Sequence, residues 1–146
     1  MSSRKPLIVG IGGTTRIGST TERALSVALR AVEAGGGETR LLGGAFLARL
    51  PIYNPAVAEP TPEQIELADA VRAADGLIVA SPGYHGSISG VIKNALDTLE
   101  MLRTDDRPYL TDRAVGCVIT ADGWQAAGTT LTTLRSIIHA LRGWPT

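Results

Sequence analysis

Cysteine and histidine are scarce in this sequence, which has one cysteine and two histidines among 146 residues. A single cysteine excludes a disulfide within the chain. Cys117 lies in the apolar run 114–119, which predicts a buried strand residue rather than a reactive thiol. His139 belongs to an apolar helical pattern and has no Cys, His or acidic partner at metal-ligand spacing. The sequence therefore predicts neither a disulfide framework nor a metal site.

An excess of charge of either sign is also missing. Fourteen Lys and Arg residues balance fourteen Asp and Glu residues. Because no run of like charge occurs, neither nucleic acid nor an anionic membrane surface is a predicted partner. No segment approaches the roughly 20 apolar residues of a membrane-spanning helix, and the first apolar stretch is too short for a signal peptide. We expect a single domain over residues 1–146, located in the cytoplasm.

Apolar runs of strand length alternate with helical patterns along the chain, without internal repeats. Alternating strand and helix units predict an α/β fold, in which helices cover both faces of a parallel sheet. The predicted strands are 7–11, 39–42, 76–80 and 114–120, and the predicted helices are 19–33, 62–74, 88–103 and 125–141.

The segment 80–97 combines a strand end, a tight loop and a helix start. The apolar run 77–80 predicts a strand buried on both faces, and the Ser-Pro-Gly sequence at 81–83 predicts its end. Gly83 and Gly86 allow the backbone to turn sharply and to approach a ligand closely.

Two rings and a hydroxyl follow in the same loop. Tyr84 and His85 stand at the carboxyl end of a predicted strand, where open α/β sheets bind their ligands. Ser87 is a candidate cap of the next helix. From spacing alone, an ordinary surface loop remains an equal alternative.

The segment 12–22 follows the first predicted strand and places hydroxyls, glycines and one cation at a helix start. Unpaired N–H groups at a helix start bind anions readily. Arg16 offers a planar fork that matches a terminal phosphate. The hydroxyls that can donate to phosphate oxygens are those of Thr14, Ser19, Thr20 and Thr21.

Two better-known phosphate loops do not match this segment. A Walker loop needs a lysine before its last Ser or Thr, and residues 13–19 contain none. A dinucleotide fingerprint needs a third glycine where Thr15 stands, and the acidic ribose ligand expected about 20 residues later is missing. The hydroxyls favour one terminal phosphate over a bridging pyrophosphate. A hydroxyl-rich helix cap without a ligand remains the alternative.

Both segments resemble motifs of the NADPH-dependent FMN reductase family. Residues 82–97 match the run Pro-x-Tyr-[Asn or His]-x-Ser…Gly-x-x-Lys-Asn-Ala-x-Asp. Residues 13–21 match Gly-Ser-x-Arg-x-x-Ser-x-[Asn or Thr], with threonine in place of the first serine. The resemblance extends from Leu7 to Trp144. It implies a flavodoxin-like doubly wound parallel sheet with strand order 2-1-3-4-5, whose fifth strand we expect to be missing because the chain ends at Thr146.

The resemblance also implies a function. It points to an oxidoreductase that binds FMN noncovalently, takes a hydride from NADPH or NADH, and passes electrons to a flavin, quinone, azo compound or metal oxyanion. It implies no catalytic side chain, because the flavin carries the chemistry. The implied phosphate ligands are Thr14, Arg16, Ser19, Thr20 and Thr21, and the residues implied to flank the ring are Pro82, Gly83, Tyr84, His85, Gly86 and Ser87. The polar edge of the ring is assigned to Thr120 and Gly123.

The family resemblance further implies a homodimer or homotetramer. We expect the apolar positions of the 88–103 helix to widen toward a partner, together with Trp124 and Trp144. Asp122 and Trp124 depart from the family pattern. Because a carboxylate near a flavin repels negative charge on its reduced form, we expect Asp122 to offer its backbone N–H and to point its side chain away. A flavodoxin-type electron carrier and a flavin-free binding module are the alternatives.

Overall fold

The carboxyl ends of the parallel strands meet at one edge of the sheet in the computed structural model, which describes residues 4–146. The strands are β1 Leu7–Gly12, β2 Glu38–Leu42, β3 Gly76–Tyr84, β4 Ser87–Ile88, β5 Ala114–Thr120 and β6 Trp144–Pro145. The helices are α1 Thr20–Ala34, α2 Gly44–Leu47, α3 Pro62–Ala73, α4 Gly90–Thr98 and α5 Trp124–Ala140, with a 3-10 turn at Leu99–Leu102.

The strand order is β2-β1-β3-β5-β6, all parallel, and β4 folds back antiparallel on β3. This confirms the order predicted for the five parallel strands. The expectation that the fifth is missing is wrong, because the two residues of β6 occupy its place. They pair with Ala114 and Val115, and the Trp144 N–H donates to the Arg113 carbonyl at 3.0 Å.

Successive strand residues point to opposite faces of the sheet, and each face has its own helices. Val79 is fully buried in a core cluster with Leu67 of α3 and Ile92 of α4. Its neighbour Ile78 packs on a second cluster that contains Leu25 of α1. Helix α1 therefore lies on the opposite face of the sheet from α3 and α4, as predicted for a doubly wound sheet.

Helix α3 begins where its sequence signal predicts. The Thr61 hydroxyl accepts a hydrogen bond from the Gln64 N–H at 3.4 Å, and the Gln64 side chain accepts one from the Thr61 N–H at 2.9 Å. Pro62 occupies the first helical turn, where its missing N–H has no cost.

Two element boundaries beside the carboxyl edge differ from prediction. β3 continues to Tyr84, since Ser81 and Pro82 pair with Ile119 and Thr120 of β5 instead of ending the strand. The helix predicted over 88–103 is α-helical only from Gly90 to Thr98.

Ser87 does not cap that helix, because it lies in β4 and pairs with Tyr84. Ser89 is the N-cap residue instead. The two-residue β4 therefore displaces the predicted helix start by two positions.

Cys117 lies in β5, as predicted, and is half-buried. Burial raises the pKa of its thiol, which lowers the thiolate fraction and its reactivity. Among residues 4–146, no helix combines the length and apolar character needed to cross a membrane.

Candidate functional site

A cleft of about 840 Å³ opens at the carboxyl ends of β1, β3 and β5. Three loops form it: the loop between β1 and α1, the segment from the end of β3 to the start of α4, and the loop between β5 and α5. The lining residues are Thr14, Thr15, Arg16, Ser19, Thr20, Thr21, Pro82, Gly83, Tyr84, Ser89, Gly90, Val91, Thr120, Ala121 and Asp122.

The loop between β1 and α1 is shaped by Thr14. Its hydroxyl accepts a hydrogen bond from the Arg16 N–H at 3.0 Å and lies 3.4 Å from the Arg16 carbonyl. Gly13 and Gly18 have positive φ angles of 113° and 70°, which glycine adopts without strain. The exposed Arg16 guanidinium makes no hydrogen bond or ion pair with any other residue in the described chain, so it is available to a ligand.

The first turn of α1 presents hydroxyls to the cleft. Ser19 is the N-cap residue, and its side chain accepts a hydrogen bond from the Glu22 N–H at 3.2 Å. Thr20 is exposed to the cleft. The hydroxyls of Thr21 and Thr120 lie 2.6 Å apart. This hydrogen bond joins α1 to the end of β5, so two residues predicted for opposite ends of a ligand are in direct contact.

Glu22 braces the loop from behind, a role that the sequence analysis missed. One carboxylate oxygen accepts a hydrogen bond from the Gly18 N–H at 3.2 Å, and the other accepts one from the Gly44 N–H at 2.5 Å. A Cβ atom at Gly44 would lie only 2.5 Å from the Thr14 carbonyl oxygen. Glu22 stands three residues after the cap, a capping-box spacing that was the available signal.

The hairpin of β3 and β4 forms the opposite wall. Tyr84 pairs with Ser87, and the two residues between them, His85 and Gly86, have φ angles of 50° and 85°. Positive φ at both central positions is the signature of a type I′ turn. The prediction that Gly86 permits a sharp turn is therefore confirmed.

Gly83 serves packing rather than turning, which corrects the prediction for that residue. It lies within β3, and a Cβ atom there would lie 2.9 Å from the Thr130 hydroxyl and 3.2 Å from the Ala121 Cβ. The small residue lets the loop after β5 and helix α5 approach the hairpin closely.

The predicted site residues separate into two groups. Those that line the cleft are Thr14, Arg16, Ser19, Thr20, Thr21, Pro82, Gly83, Tyr84 and Thr120. Those outside its lining are His85, Gly86, Ser87 and Gly123. The first three form or flank the hairpin turn, and Gly123 is the N-cap of α5. Their assigned binding roles remain predictions.

The start of α4 reaches the cleft as well and was not predicted to do so. Gly90 and Val91 line it beside Ser89, whose N–H donates to the Ser81 hydroxyl at 2.9 Å. The Ser81 hydroxyl in turn donates to the Pro82 carbonyl at 2.9 Å. These bonds fix the chain that enters α4, so its first N–H groups point toward the cleft end of the helix.

The Lys-Asn-Ala-x-Asp part of the motif lies outside the cleft lining. Lys93 and Asp97 form an exposed ion pair at 2.6 Å, as their four-residue spacing predicts. The buried Asn94 side chain accepts a hydrogen bond from the Tyr53 N–H at 2.8 Å and donates one to the Pro51 carbonyl at 2.9 Å. Asn94 therefore anchors the start of the long segment before α3.

The chemistry of the cleft is that of a binding site rich in hydrogen-bond donors. Arg16 and Asp122 are its only formally charged lining residues within the described chain. No cluster of three or more His, Cys, Asp and Glu residues suited to a metal ion occurs among residues 4–146. Hydroxyls, glycines and one guanidinium suit a ligand that carries a phosphate.

Comparison with known proteins identifies the family. A family model described as NADPH-dependent FMN reductase matches residues 6–146. The chain belongs to this family. The family resemblance noted in the sequence is therefore confirmed.

Curated relatives match over part of their length. The NAD(P)H-dependent FMN reductase of Pseudomonas aeruginosa is 37% identical over 104 residues, which cover 70% of this chain and 53% of the relative. The FMN-dependent NADPH-azoreductase of Staphylococcus aureus is 37% identical over 90 residues, covering 62% of this chain and 44% of the relative. The chain thus spans about half the length of the curated relatives it matches.

Solved structures support the flavodoxin-like reductase fold. The apo form of the NADH:FMN oxidoreductase EMOB superposes with a TM-score of 0.77 at 26% identity, covering 94% of this chain and 70% of that one. The NAD(P)H:(acceptor) oxidoreductase FerB of Paracoccus denitrificans superposes with a TM-score of 0.78 at 23% identity, covering 98% of this chain and 75% of that one.

Proposed function

We infer that the cleft binds FMN noncovalently and that the protein acts as a NAD(P)H-dependent oxidoreductase. The observation that carries this proposal is the unpaired Arg16 guanidinium beside the hydroxyls at the start of α1, in the same cleft as the β3-β4 hairpin. Family membership supports the same ligand.

The phosphate end of the cleft fits FMN in its donors. The Ser19 hydroxyl uses its acceptor capacity on the Glu22 N–H and keeps its own O–H free to donate. The Thr20 hydroxyl and the Arg16 guanidinium make no side-chain hydrogen bond with the rest of the described chain. A terminal phosphate at a helix start would satisfy these donors and the unpaired N–H groups of the first turn.

The hairpin end fits a planar ring. Tyr84, 53% exposed, lines the cleft, and Gly83 and Gly90 leave backbone uncovered beside it. Backbone N–H groups of the turn at 83–87 would hold the ring's polar edge, and Thr120 would line the same edge from the end of β5. The type I′ turn already holds these groups in one backbone geometry in the absence of a ligand, and such preorganisation reduces the entropic cost of binding.

The residues of this chain would bind and orient the cofactor and would leave one face open for the second ligand. When bound, FMN supplies the hydride chemistry, so no side-chain nucleophile or general base is required. Flavin, quinone, azo compound and metal oxyanion are all candidate acceptors, and NADPH and NADH are both candidate donors.

A homodimer or homotetramer is part of the proposal, although one argument for it is wrong. Ile92, Leu96, Leu99 and Leu102 were expected to widen an apolar stripe toward a partner, but all four are at most 1% exposed within the chain. Trp124 and Trp144, 83% and 71% exposed, are better candidates for an interface. Analytical ultracentrifugation at micromolar concentration tests this: a monomer would contradict it.

An anaerobic titration tests the function itself. Protein loaded with FMN is mixed with NADPH under argon, and the oxidised flavin absorbance is followed. We expect the bands to bleach with one equivalent of NADPH. Protein that binds FMN but is not bleached would be an electron carrier, and protein that binds no FMN would be a binding module of another kind. Either result contradicts the proposed function.

A further inference from the structure

Asp122 lines the cleft, where its carboxylate is the only negative charge among the described lining residues. It follows Thr120 and Ala121 at the carboxyl end of β5, and β5 pairs with β3 as far as Pro82. The Asp122 carboxylate therefore belongs to the side of the cleft that is formed by β5 and the hairpin. Arg16 follows β1, which is separated from β5 by β3 in the sheet, and the structure shows no ion pair between Arg16 and Asp122.

The Asp122 carboxylate is not used for structure. It is exposed, and it forms no ion pair or hydrogen bond within residues 4–146. The adjacent N-cap residue of α5 is Gly123, and no side chain caps that helix. Because nothing in the described chain neutralises this charge, its field acts on whatever occupies that side of the cleft.

We propose that Asp122 selects ligands by charge: it weakens the binding of anionic electron acceptors on the hairpin side of the cleft relative to neutral or cationic ones. This inference rests on the proposed function, since the acceptor has to lie against the bound flavin. Two unit charges about 7 Å apart, at an effective dielectric constant between about 80 and 20, change a binding constant roughly three- to fiftyfold. The favoured acceptor class is therefore a neutral or cationic ring compound, which binds more tightly than a sulfonated or carboxylated one of the same shape.

The test uses oxidised, FMN-loaded protein and two quinones that differ by one charge. The probes are anthraquinone-2-sulfonate and 2-(hydroxymethyl)anthraquinone. Because the flavin and the quinone are both oxidised, no turnover occurs. The dissociation constant of each quinone follows from the change in flavin absorbance when the quinone binds. The variants are Asp122→Asn and, as a matched control, Asp106→Asn, which removes the same charge from an exposed position outside the cleft.

We expect Asp122→Asn to tighten binding of the sulfonate by about three- to fiftyfold. The dissociation constant of the neutral quinone should change by no more than about twofold. Asp106→Asn should change neither, and added salt should reduce the wild-type discrimination, as screening requires. A sulfonate affinity that Asp122→Asn leaves unchanged would overturn the inference, as would the failure of both quinones to bind any variant. Wild-type protein that binds no FMN would instead refute the proposed function.

Discussion

Replacing Glu22 with glutamine removes the ionic brace behind the loop between β1 and α1. In the wild-type chain, its two carboxylate oxygens accept hydrogen bonds from the N–H groups of Gly18 and Gly44. Glutamine keeps one carbonyl oxygen and turns an NH₂ group toward the other N–H. The substitution therefore loses one charge-assisted hydrogen bond, makes the other one neutral, and sets two donors against each other.

The expected loss of stability follows from these two bonds. A hydrogen bond to a charged group contributes roughly 1.5 to 3 kcal/mol. Glu22 is partly exposed, which places the loss at about 2 kcal/mol, near the lower part of that range. For a chain of about 150 residues, this corresponds to a melting temperature lower by roughly 4 to 8 °C.

Urea unfolding followed by circular dichroism measures the loss, with Glu63→Gln as the control. Glu63 is the acidic residue in the first turn of α3, so its replacement removes the same favourable charge at a helix start, about 0.3 to 1 kcal/mol. Glu63 makes no side-chain hydrogen bond within residues 4–146. Equal losses of unfolding free energy in the two variants would refute the role of the two Glu22 hydrogen bonds, because only the helix-dipole effect would remain.

Three further predictions concern the hairpin, the Asn94 anchor and the amino-terminal ion pair. Gly86→Val should destabilise the protein by roughly 1 to 3 kcal/mol, because φ is 85° at that position. His85→Asn should be nearly neutral, because asparagine adopts positive φ readily. Thermal unfolding of the two variants compares these effects. Asn94→Ala should cost about 1 to 3 kcal/mol and speed proteolysis of the 51–60 segment. The Arg4 guanidinium and the Leu7 N–H lower the pKa of Asp75, so its contribution to stability should be lost as pH falls below about 4, and Asp75→Asn should flatten that part of the pH profile.

The features that were predicted best from the sequence are those set by residues close together along the chain. The hydroxyls and Arg16 at the start of α1 lie within one short segment, and the structure brings them to the cleft together. The capping box at Thr61 and the turn at Gly86 are equally local. Strand order came from the resemblance, since propensities alone do not choose among parallel topologies.

What sequence analysis missed depends on pairing between distant segments. Pro82 reads locally as a strand breaker, but β3 pairs with β5 as far as Pro82 and then with β4 at Gly83 and Tyr84. Tertiary context therefore overrides propensity. The Glu22–Gly44 and Asn94–Pro51 hydrogen bonds join residues 22 and 43 positions apart. The leucines of α4 and the following turn read as a partner-facing stripe, yet the core of this chain buries them.

The central claim is that the cleft holds the terminal phosphate of FMN at Arg16, and one comparison tests it most directly. Flavin fluorescence titrations give dissociation constants of FMN and riboflavin for the wild type, for Arg16→Ala, and for Arg23→Ala, which removes an exposed arginine of α1 outside the cleft. We predict that Arg16→Ala weakens FMN binding about ten- to a hundredfold. Its affinity for riboflavin, which lacks the phosphate, should be unchanged. Arg23→Ala should change neither affinity. Equal losses for FMN and riboflavin in Arg16→Ala, or an unchanged FMN affinity, would contradict the assignment.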